Sequence, residues 1–311
     1  MPRKLFRFVP RPEDEGARLD LFVPACAEEL SRSFLRKIVD LGGVHVGGRR
    51  VRRCSHPVKA GEVIEIHLDG LPLEIFEISE QGVLFRDNFL VALNKPSGVE
   101  TQPTPARFKG TLYEALLRYL RDPFRPRDEP SLGMVQRLDR ETSGVLVFSI
   151  HPRAHGPLTE AFSGRAVRKF YLALVLGTPR ENQGEIRSLL ARNRATNRMR
   201  SVERGGKDAI TRYRLLEPLG SASLIEVEIL TGRSHQIRVH LAEIGHPLLG
   251  DTRYGGPEEL DGIPLPRVML HSWRLLLPHP VTGEPLELEA PLPADLEAVL
   301  SRLRQSARPD I

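Results

Sequence analysis

The segment that most constrains the fold and function of this chain is a predicted buried strand with one carboxylate shortly before it. Residues 136–144 read QRLDRETSG and lead into the apolar run at residues 145–148. The run predicts a buried strand, so Asp139 is expected on a loop held by rigid structure, where catalytic groups often lie. The flanking arginines favour the ionised carboxylate and would attract phosphate. On these residues alone, an Asp that only stabilises the turn through an ion pair explains the pattern equally well.

Length and composition favour a folded chain of two domains, with one large domain as the alternative. It has 311 residues, of which 40% are hydrophobic, and a formal net charge of +5. That charge does not by itself identify a nucleic-acid partner, so its clustering matters more. The two cysteines, Cys26 and Cys54, are too few for a disulfide scaffold and are expected to be buried. No apolar signal region and no membrane-length apolar stretch is recognisable, which predicts a soluble cytoplasmic protein.

The hydrophobic patterns predict a small N-terminal unit at residues 11–68, a linker at 69–82 and a larger domain at 83–300. In the small unit, Ser31 should cap a helix that Gly42 and Gly43 end. Residues 100–110 are expected to form an exposed loop. The larger domain should contain helices at 112–120, 158–166 and 234–244, and many hairpin-linked strands, including 169–176 and 223–230. The predicted fold class is therefore α+β with a mainly antiparallel mixed sheet.

Two clusters of basic residues indicate contact with a nucleic-acid backbone. A solvated face usually mixes charge signs, whereas these clusters are largely of one sign. A plain solvated surface is the alternative for the first cluster. The first cluster comprises Arg32, Arg36, Lys37, Arg49, Arg50, Arg52 and Arg53, and the second comprises Arg192, Arg194, Arg198 and Arg200.

Two further segments carry candidate site residues. Arg233 follows a predicted strand and a Gly turn, from which it could reach and orient Asp139. His235 and His240 lack the accompanying carboxylates or cysteines of a metal site, so packing roles are expected. Phe170 and Tyr171 should point to opposite faces of one strand, so one could stack on a base. The alternative is that Phe170 and Tyr171 both belong to the hydrophobic core.

Residues 18–62 resemble the S-four-type RNA-binding domain. The segments that carry the resemblance are 18–20 (RLD), 31–33 (SRS), 42–48 (GGVHVGG) and 58–62 (VKAGE). Gly47 departs from the family pattern, which often has Asn there, and this departure affects turn stability more than function. The resemblance implies that this small domain binds RNA.

Residues 83–295 resemble the RluA family of pseudouridine synthases, which modify large-subunit rRNA and tRNA. The segments that carry this resemblance are 87–98 (DNFLVALNKPSG), 137–139 (RLD) with 142–144 (TSG), 169–171 (KFY) with Gly177, 232–240 (GRSHQIRVH), 245–251 (GHPLLGD) and 270–271 (LH). Gln136 and Gln102 stand where the family commonly has His. These two departures put the substrate preference in doubt more than the activity.

The resemblance implies an RNA pseudouridine synthase that needs no cofactor and no metal. Asp139 would be the catalytic residue, Arg233 its ion-pair partner, and Tyr171 the residue that stacks on the target base. Arg137 would contact the RNA backbone or fill the gap left by a flipped nucleotide. The expected partner is large-subunit rRNA, or else tRNA, and a monomer is expected. A non-catalytic RNA-binding ribosome-assembly factor that kept the fold is the alternative.

Overall fold

The computed structural model describes residues 3–125, 127–164 and 166–307, which form two compact units. One unit comprises Met1–Ile78 and Val99–Glu129, and the other comprises Ser79–Gly98 and Pro130–Ile311. The division therefore differs from the linear boundaries predicted above, because the chain returns to the first unit between residues 99 and 129. None of the described helices has the length and apolarity that a membrane span requires.

The first unit contains a four-stranded antiparallel sheet and three α-helices within the described residues. The sheet order is β1-β4-β2-β3. Ser31 accepts a hydrogen bond from the Phe34 N–H and so caps α2, which ends at Gly42 with a left-handed φ of 90°. Both signals agree with the sequence pattern. The elements are β1 (Lys4–Phe8), α1 (Leu19–Cys26), α2 (Arg32–Leu41), β2 (Val44–Val46), β3 (Arg49–Arg50), β4 (Ile64–Leu68) and, later in the chain, α3 (Leu112–Leu120).

Three expectations for this unit were wrong. The unit does not begin at residue 11, because strand β1 pairs along its length with β4. Residues 100–110 are not a wholly exposed loop, because Arg107 is 3% exposed and its Nε lies 2.8 Å from Asp69 Oδ2. A buried guanidinium needs such a partner. Cys26 is exposed, because it ends α1 beyond the buried Phe22 and Val23.

The second unit is built on one large sheet. Its elements are β5 (Val83–Arg86), β6 (Leu90–Lys95), β7 (Gly133–Met134), β8 (Ser143–Ser149), α4 (Pro152–Ser163), β9 (Arg168–Leu176), β10 (Gln183–Arg192), β11 (Met199–Val202), β12 (Lys207–Leu219), β13 (Ala222–Ile229), α5 (Gln236–Glu243), β14 (Glu259–Leu260), β15 (Ile263–Pro264), β16 (Leu270–Pro278), β17 (Pro285–Glu289) and α6 (Ala294–Ser306).

The predicted α+β class with a mainly antiparallel mixed sheet is confirmed. The order is β11-β10-β12-β13-β9-β16-β8-β6-β5, with β17 on β16 and β7 on β8. Strands β8 and β16 run parallel, and the other pairs of this sheet are antiparallel. The helix predicted at 158–166 instead spans Pro152–Ser163. The helix begins at Pro152, which is favourable in the first helical turn, and continues through Pro157.

The loop before β8 is held by backbone and side-chain contacts from β6 and from the chain before β16. The Ser97 hydroxyl donates to the Glu141 carbonyl over 2.9 Å, and the Arg267 guanidinium donates to the same carbonyl. The Lys95 ammonium donates to the Arg140 carbonyl over 3.1 Å. Gly144 has φ 112°, and a Cβ there would lie 2.1 Å from the Ser272 carbonyl oxygen. These contacts fix the segment that carries Asp139.

Candidate active site

A cavity of about 580 Å³ opens in the second unit in front of Asp139. Its volume lies in the range of small-molecule sites and could admit one nucleotide base. Three segments form its walls: the loop before β8, the start of β9, and the turn that leads into α5. Among the lining residues are Gln136, Arg137, Asp139, Lys169, Tyr171, Arg233, His235 and Arg238.

Asp139 is partly exposed to this cavity and has two cationic or proton-donating neighbours. Arg238 Nη1 lies 3.3 Å from Asp139 Oδ2, and His235 Nε2 lies 3.8 Å from the same oxygen. The carboxylate side chain is 29% exposed, whereas Arg238 is 7% exposed. The carboxylate is thus anchored from one side and open to solvent, or to a substrate, on the other.

Asp251 holds the Arg238 guanidinium in place. Arg238 Nε lies 2.7 Å from Asp251 Oδ2, and Nη2 lies 2.8 Å from Oδ1, which is a bidentate pair. The Asp251 side chain is 1% exposed. Although burial acts in the opposite direction, hydrogen bonding to Asp251 and the charges of both carboxylates raise the pKa of Arg238. The guanidinium is therefore a permanent, oriented cation beside Asp139.

The expectation that Arg233 pairs with Asp139 was wrong. Arg233 Nε donates to the Asp208 carbonyl over 2.8 Å, so its guanidinium is directed to β12. The Gln236 side chain organises the turn, because its Oε1 accepts from the Arg233 N–H and from the Thr231 hydroxyl. Arg233 still lines the cavity, but Arg238, five residues later, is the arginine that reaches the carboxylate.

Tyr171 and its neighbour Phe170 are both buried, at 6% and 5% exposure. Phe170 packs beneath the guanidinium groups of Arg168 and Arg274. Tyr171 lines the cavity, and it pairs with Ser272 across the sheet. Burial raises the pKa of Tyr171 to about 12, assisted by the charge of Asp139 and opposed by a hydrogen bond with Ser272. The phenol is therefore neutral at physiological pH.

The mouth of the cavity is cationic. Arg137 is exposed, and its Nη2 lies 3.0 Å from the Ser234 hydroxyl. Burial lowers the pKa of Lys169, and the charge of Arg233 acts in the same direction. The Gln136 amide nitrogen is buried and has no hydrogen-bond partner within the part of the chain that the structure describes. These groups suit a polyanionic ligand.

The basic residues of the first unit are mostly exposed around α2 and β3. Arg50 is half-buried. The exposed members are Arg32, Arg36, Lys37, Arg49, Arg52 and Arg53. Two of them make internal contacts: Arg32 pairs with Asp20 over 3.1 Å, and Arg50 donates to the Thr104 carbonyl. Bonds from Arg18 and then Arg32, against the effect of burial, lower the pKa of Asp20 to about 2.

The second basic cluster lies on the hairpin of β10 and β11. The exposed residues there are Arg192, Arg194, Arg198 and Arg200. Asn197 adopts a left-handed φ of 53° at the tip, and its side-chain carbonyl accepts from Arg192 over 2.7 Å. The arginines therefore project from a tight turn, as expected for a surface that binds phosphates.

The two histidines of the 232–240 segment have separate roles. His240 is buried, and its two ring nitrogens lie 2.9 Å from the hydroxyls of Ser188 and Thr211. His235 faces Asp139 instead. Among the described residues, no three His, Cys, Asp or Glu side chains are grouped as they would be to hold a metal ion.

Sequence reasoning missed Arg238, Asp251 and His235 as members of the site, together with Tyr254, whose hydroxyl lies 2.8 Å from His235 Nδ1. A signal was available for the first two, because Arg238 and Asp251 both lie in segments that carry the family resemblance, 232–240 and 245–251. Their pairing, however, depends on how the chain after α5 folds back. The sequence therefore favoured Arg233 as the partner of Asp139, because Arg233 directly follows the turn.

Family models match both parts of the chain. A model described as RNA pseudouridylate synthase matches residues 89–243, and one described as S4 domain matches residues 18–64. The solved structure of human RNA pseudouridylate synthase domain containing 4 superposes with a TM-score of 0.59 at 28% identity, covering 72% of this chain and 93% of that one.

Curated relatives extend the similarity to nearly the whole chain. An uncharacterized RNA pseudouridine synthase of Chloroflexus aurantiacus is 38% identical, over 95% of this chain and 93% of the relative. Ribosomal large subunit pseudouridine synthase D of Nitrosomonas europaea is 35% identical, over 93% of this chain and 85% of the relative.

Fold and site together define an RNA-modifying isomerase with an S-four-type domain at its N-terminal end. More specifically, the chain belongs to the RNA pseudouridine synthase family, as its resemblance to the RluA branch predicted.

Proposed function

We propose that this enzyme isomerises specific uridines of large-subunit ribosomal RNA to pseudouridine, with Asp139 as the catalytic carboxylate. The reaction breaks the bond between uracil N1 and the ribose, rotates the base and rejoins it through C5. The C5 proton is lost, and N1 gains one. The observation that carries the proposal is the partly exposed Asp139 carboxylate, which an oriented Arg238 anchors inside a base-sized cavity.

The reaction needs a carboxylate that can act as a nucleophile or as a base towards the sugar. Asp139 suits either role, because it faces the cavity while its Oδ2 contacts Arg238. Arg238, and not Arg233, is assigned as the residue that orients it. Tyr171 is assigned to pack against the target base, and its support is that it lines the same cavity as Asp139. Its neutral phenol could deliver or accept a proton only through a hydrogen bond.

The target base must leave its stack to reach Asp139, since C5 and N1 are inaccessible in a helix. Arg137 stands exposed at the cavity mouth, where it is placed to contact the backbone or to fill the vacated position. The hairpin arginines at 192–200 and the basic residues around α2 and β3 supply further phosphate contacts. Preference for ribosomal RNA is supported by the relatives named ribosomal large subunit pseudouridine synthase D. A cytoplasmic monomer is expected.

Tritium release from uridine labelled at C5 tests this proposal. Unmodified large-subunit rRNA and bulk tRNA transcripts are offered separately to the wild type, Asp139→Asn and Asp139→Ala. We expect release from the rRNA with the wild type alone, and RNA binding that is unchanged in Asp139→Asn. Release only from tRNA would overturn the proposed substrate, and turnover by Asp139→Asn would overturn the assignment of the carboxylate.

A further inference from the structure

His235 and Tyr254 form a hydrogen-bonded pair beside Asp139 that the proposed chemistry does not use. His235 precedes α5 with a left-handed φ of 54°, a backbone conformation that non-Gly residues seldom adopt. Its Nδ1 lies 2.8 Å from the Tyr254 hydroxyl, and its Nε2 lies 3.8 Å from Asp139 Oδ2. Strain of this kind persists only where its surroundings enforce it, and it is frequent at functional sites.

The hydrogen bonds around Tyr254 determine where the protons lie. The Met199 backbone N–H donates to the Tyr254 hydroxyl oxygen over 3.1 Å, so this oxygen already accepts one bond. The single hydroxyl proton is then free to point to His235 Nδ1. Burial raises the pKa of Tyr254, which keeps that proton in place. With Nδ1 accepting, the neutral imidazole carries its own proton on Nε2, which faces Asp139.

The surroundings of His235 favour this neutral form. Burial lowers its pKa, and the carboxylates oppose this effect while the arginines reinforce it. A proton added at Nδ1 would also have to displace the hydrogen bond from Tyr254. The titratable and charged groups that face the ring are Asp139 from the loop before β8, Arg238 from α5, and Asp251, Arg253 and Tyr254 from the segment after α5.

We propose that Tyr254 and His235 are positioning residues for Asp139. Tyr254 selects the tautomer of His235 that presents an Nε2–H to Asp139 Oδ2, on the oxygen that Arg238 also contacts. Because both groups restrain Oδ2, Oδ1 is the oxygen offered to the substrate. This inference rests on the proposed catalytic role of Asp139. Tyr254 and His235 affect the reaction by fixing the orientation of Asp139, because the contact from the His235 N–H restrains rotation of the carboxylate.

The test uses Tyr254→Phe, His235→Gln and the double variant in single-turnover tritium release from the rRNA transcript. Tyr254→Phe removes one oxygen and keeps the ring that packs on Arg238. His235→Gln can place an amide N–H near the former Nε2 without a titrating group. Binding affinity for the RNA and thermal unfolding are measured alongside, to separate positioning from folding.

We expect Tyr254→Phe to lower the single-turnover rate roughly five- to tenfold at pH 7.5, with unchanged RNA affinity. The acid limb of its pH–rate profile should move to higher pH, because His235 Nδ1 can then take a proton. His235→Gln should not show this displaced limb. The double variant should match His235→Gln alone, since Tyr254 acts through the imidazole.

Two results would overturn the inference. One is a Tyr254→Phe enzyme with the rate and pH profile of the wild type, and the other is additive rate losses in the double variant. Both are distinguishable from failure of the proposed function, which would appear as turnover by Asp139→Asn. If the Tyr254→Phe protein fails to fold, His235→Ala is the test, because Ala presents no N–H to Asp139 Oδ2: a wild-type single-turnover rate in that variant refutes the role of the imidazole.

Discussion

Replacing Asp251 by Asn should cost this enzyme both stability and activity, because Asp251 binds both Nε and Nη2 of the Arg238 guanidinium. Two hydrogen bonds of 2.7 and 2.8 Å join the pair, and both side chains are buried. Removing one partner of a buried ion pair costs about 3–5 kcal/mol. Asn keeps one acceptor oxygen, so we expect a loss of about 3 kcal/mol, equivalent to about 6–12 °C in Tm for a unit of this size.

The activity should fall further than stability alone explains. Without its anchor, the Arg238 guanidinium is free to move relative to Asp139, and a misplacement of about 1 Å costs about a hundredfold in rate. Thermal unfolding and single-turnover tritium release, below the melting temperature, measure the two effects separately.

Glu217→Gln provides a matched control for Asp251→Asn. Glu217 also pairs with a guanidinium through both oxygens, that of Arg304, but these side chains are 35% and 47% exposed. Both variants remove one negative charge from the second unit. Exposed pairs contribute about 0–1 kcal/mol, so the control should melt within about 3 °C of the wild type. Equal losses of Tm in the two variants, or full activity in Asp251→Asn, would refute the reasoning.

Three further predictions concern packing, pH and RNA binding. Gly144→Ala should lower the free energy of unfolding by about 3 kcal/mol or more, because the Cβ would meet the Ser272 carbonyl. Gly283→Ala, also at a positive φ (77°, against 112° at Gly144) but with open space around the added Cβ, should cost about 1 kcal/mol. Urea unfolding measures both, and similar losses would contradict the steric argument. Burial lowers the pKa of His271 from 6.5 to about 4, so its contribution to stability is complete above pH 6.5 and declines as the pH falls towards 4. The free energy of unfolding, measured with urea across this pH range, should fall by up to about 3 kcal/mol more in the wild type than in His271→Gln. The same pH dependence in both proteins would argue against this role of His271. Arg194→Ala and Arg198→Ala should each reduce the slope of log Kd against log salt by about 0.7–0.9, while Arg304→Ala should not, and unchanged slopes would exclude phosphate contact at the hairpin.

Local patterns predicted most elements of the fold. Helix α3 was expected at residues 112–120 and occupies Leu112–Leu120. Strand β9 was expected at 169–176 and begins one residue earlier. Helix α2 begins after its Ser31 cap and ends before Gly42. In each case the deciding signal lies within a few residues of the element, in its apolar period, cap or turn.

Tertiary packing decided the points where those patterns failed. The sequence of β1 has no strong strand signal of its own, and the strand forms because its backbone pairs with the edge of β4. Arg107 lies in a Pro-rich segment whose sequence predicts exposure, yet it is buried and forms an ion pair with Asp69. Helix α4 begins at Pro152 because His151 accepts from the Arg153 N–H and so caps it. Each outcome depends on partners outside the window that a local pattern covers, or on capping that Pro obscures.

By itself, the sequence determined the class of this protein and the segment that carries its central carboxylate. The order of motifs identified the family, and the polar turn before a buried strand located Asp139, since both kinds of information are local along the chain. Only the tertiary structure decided which arginine reaches Asp139. Arg238 does so because Asp251, thirteen residues further on, folds back and orients it, while Arg233 bonds to the Asp208 carbonyl. Selection of a partner depends on three-dimensional geometry, which spacing along the chain does not specify.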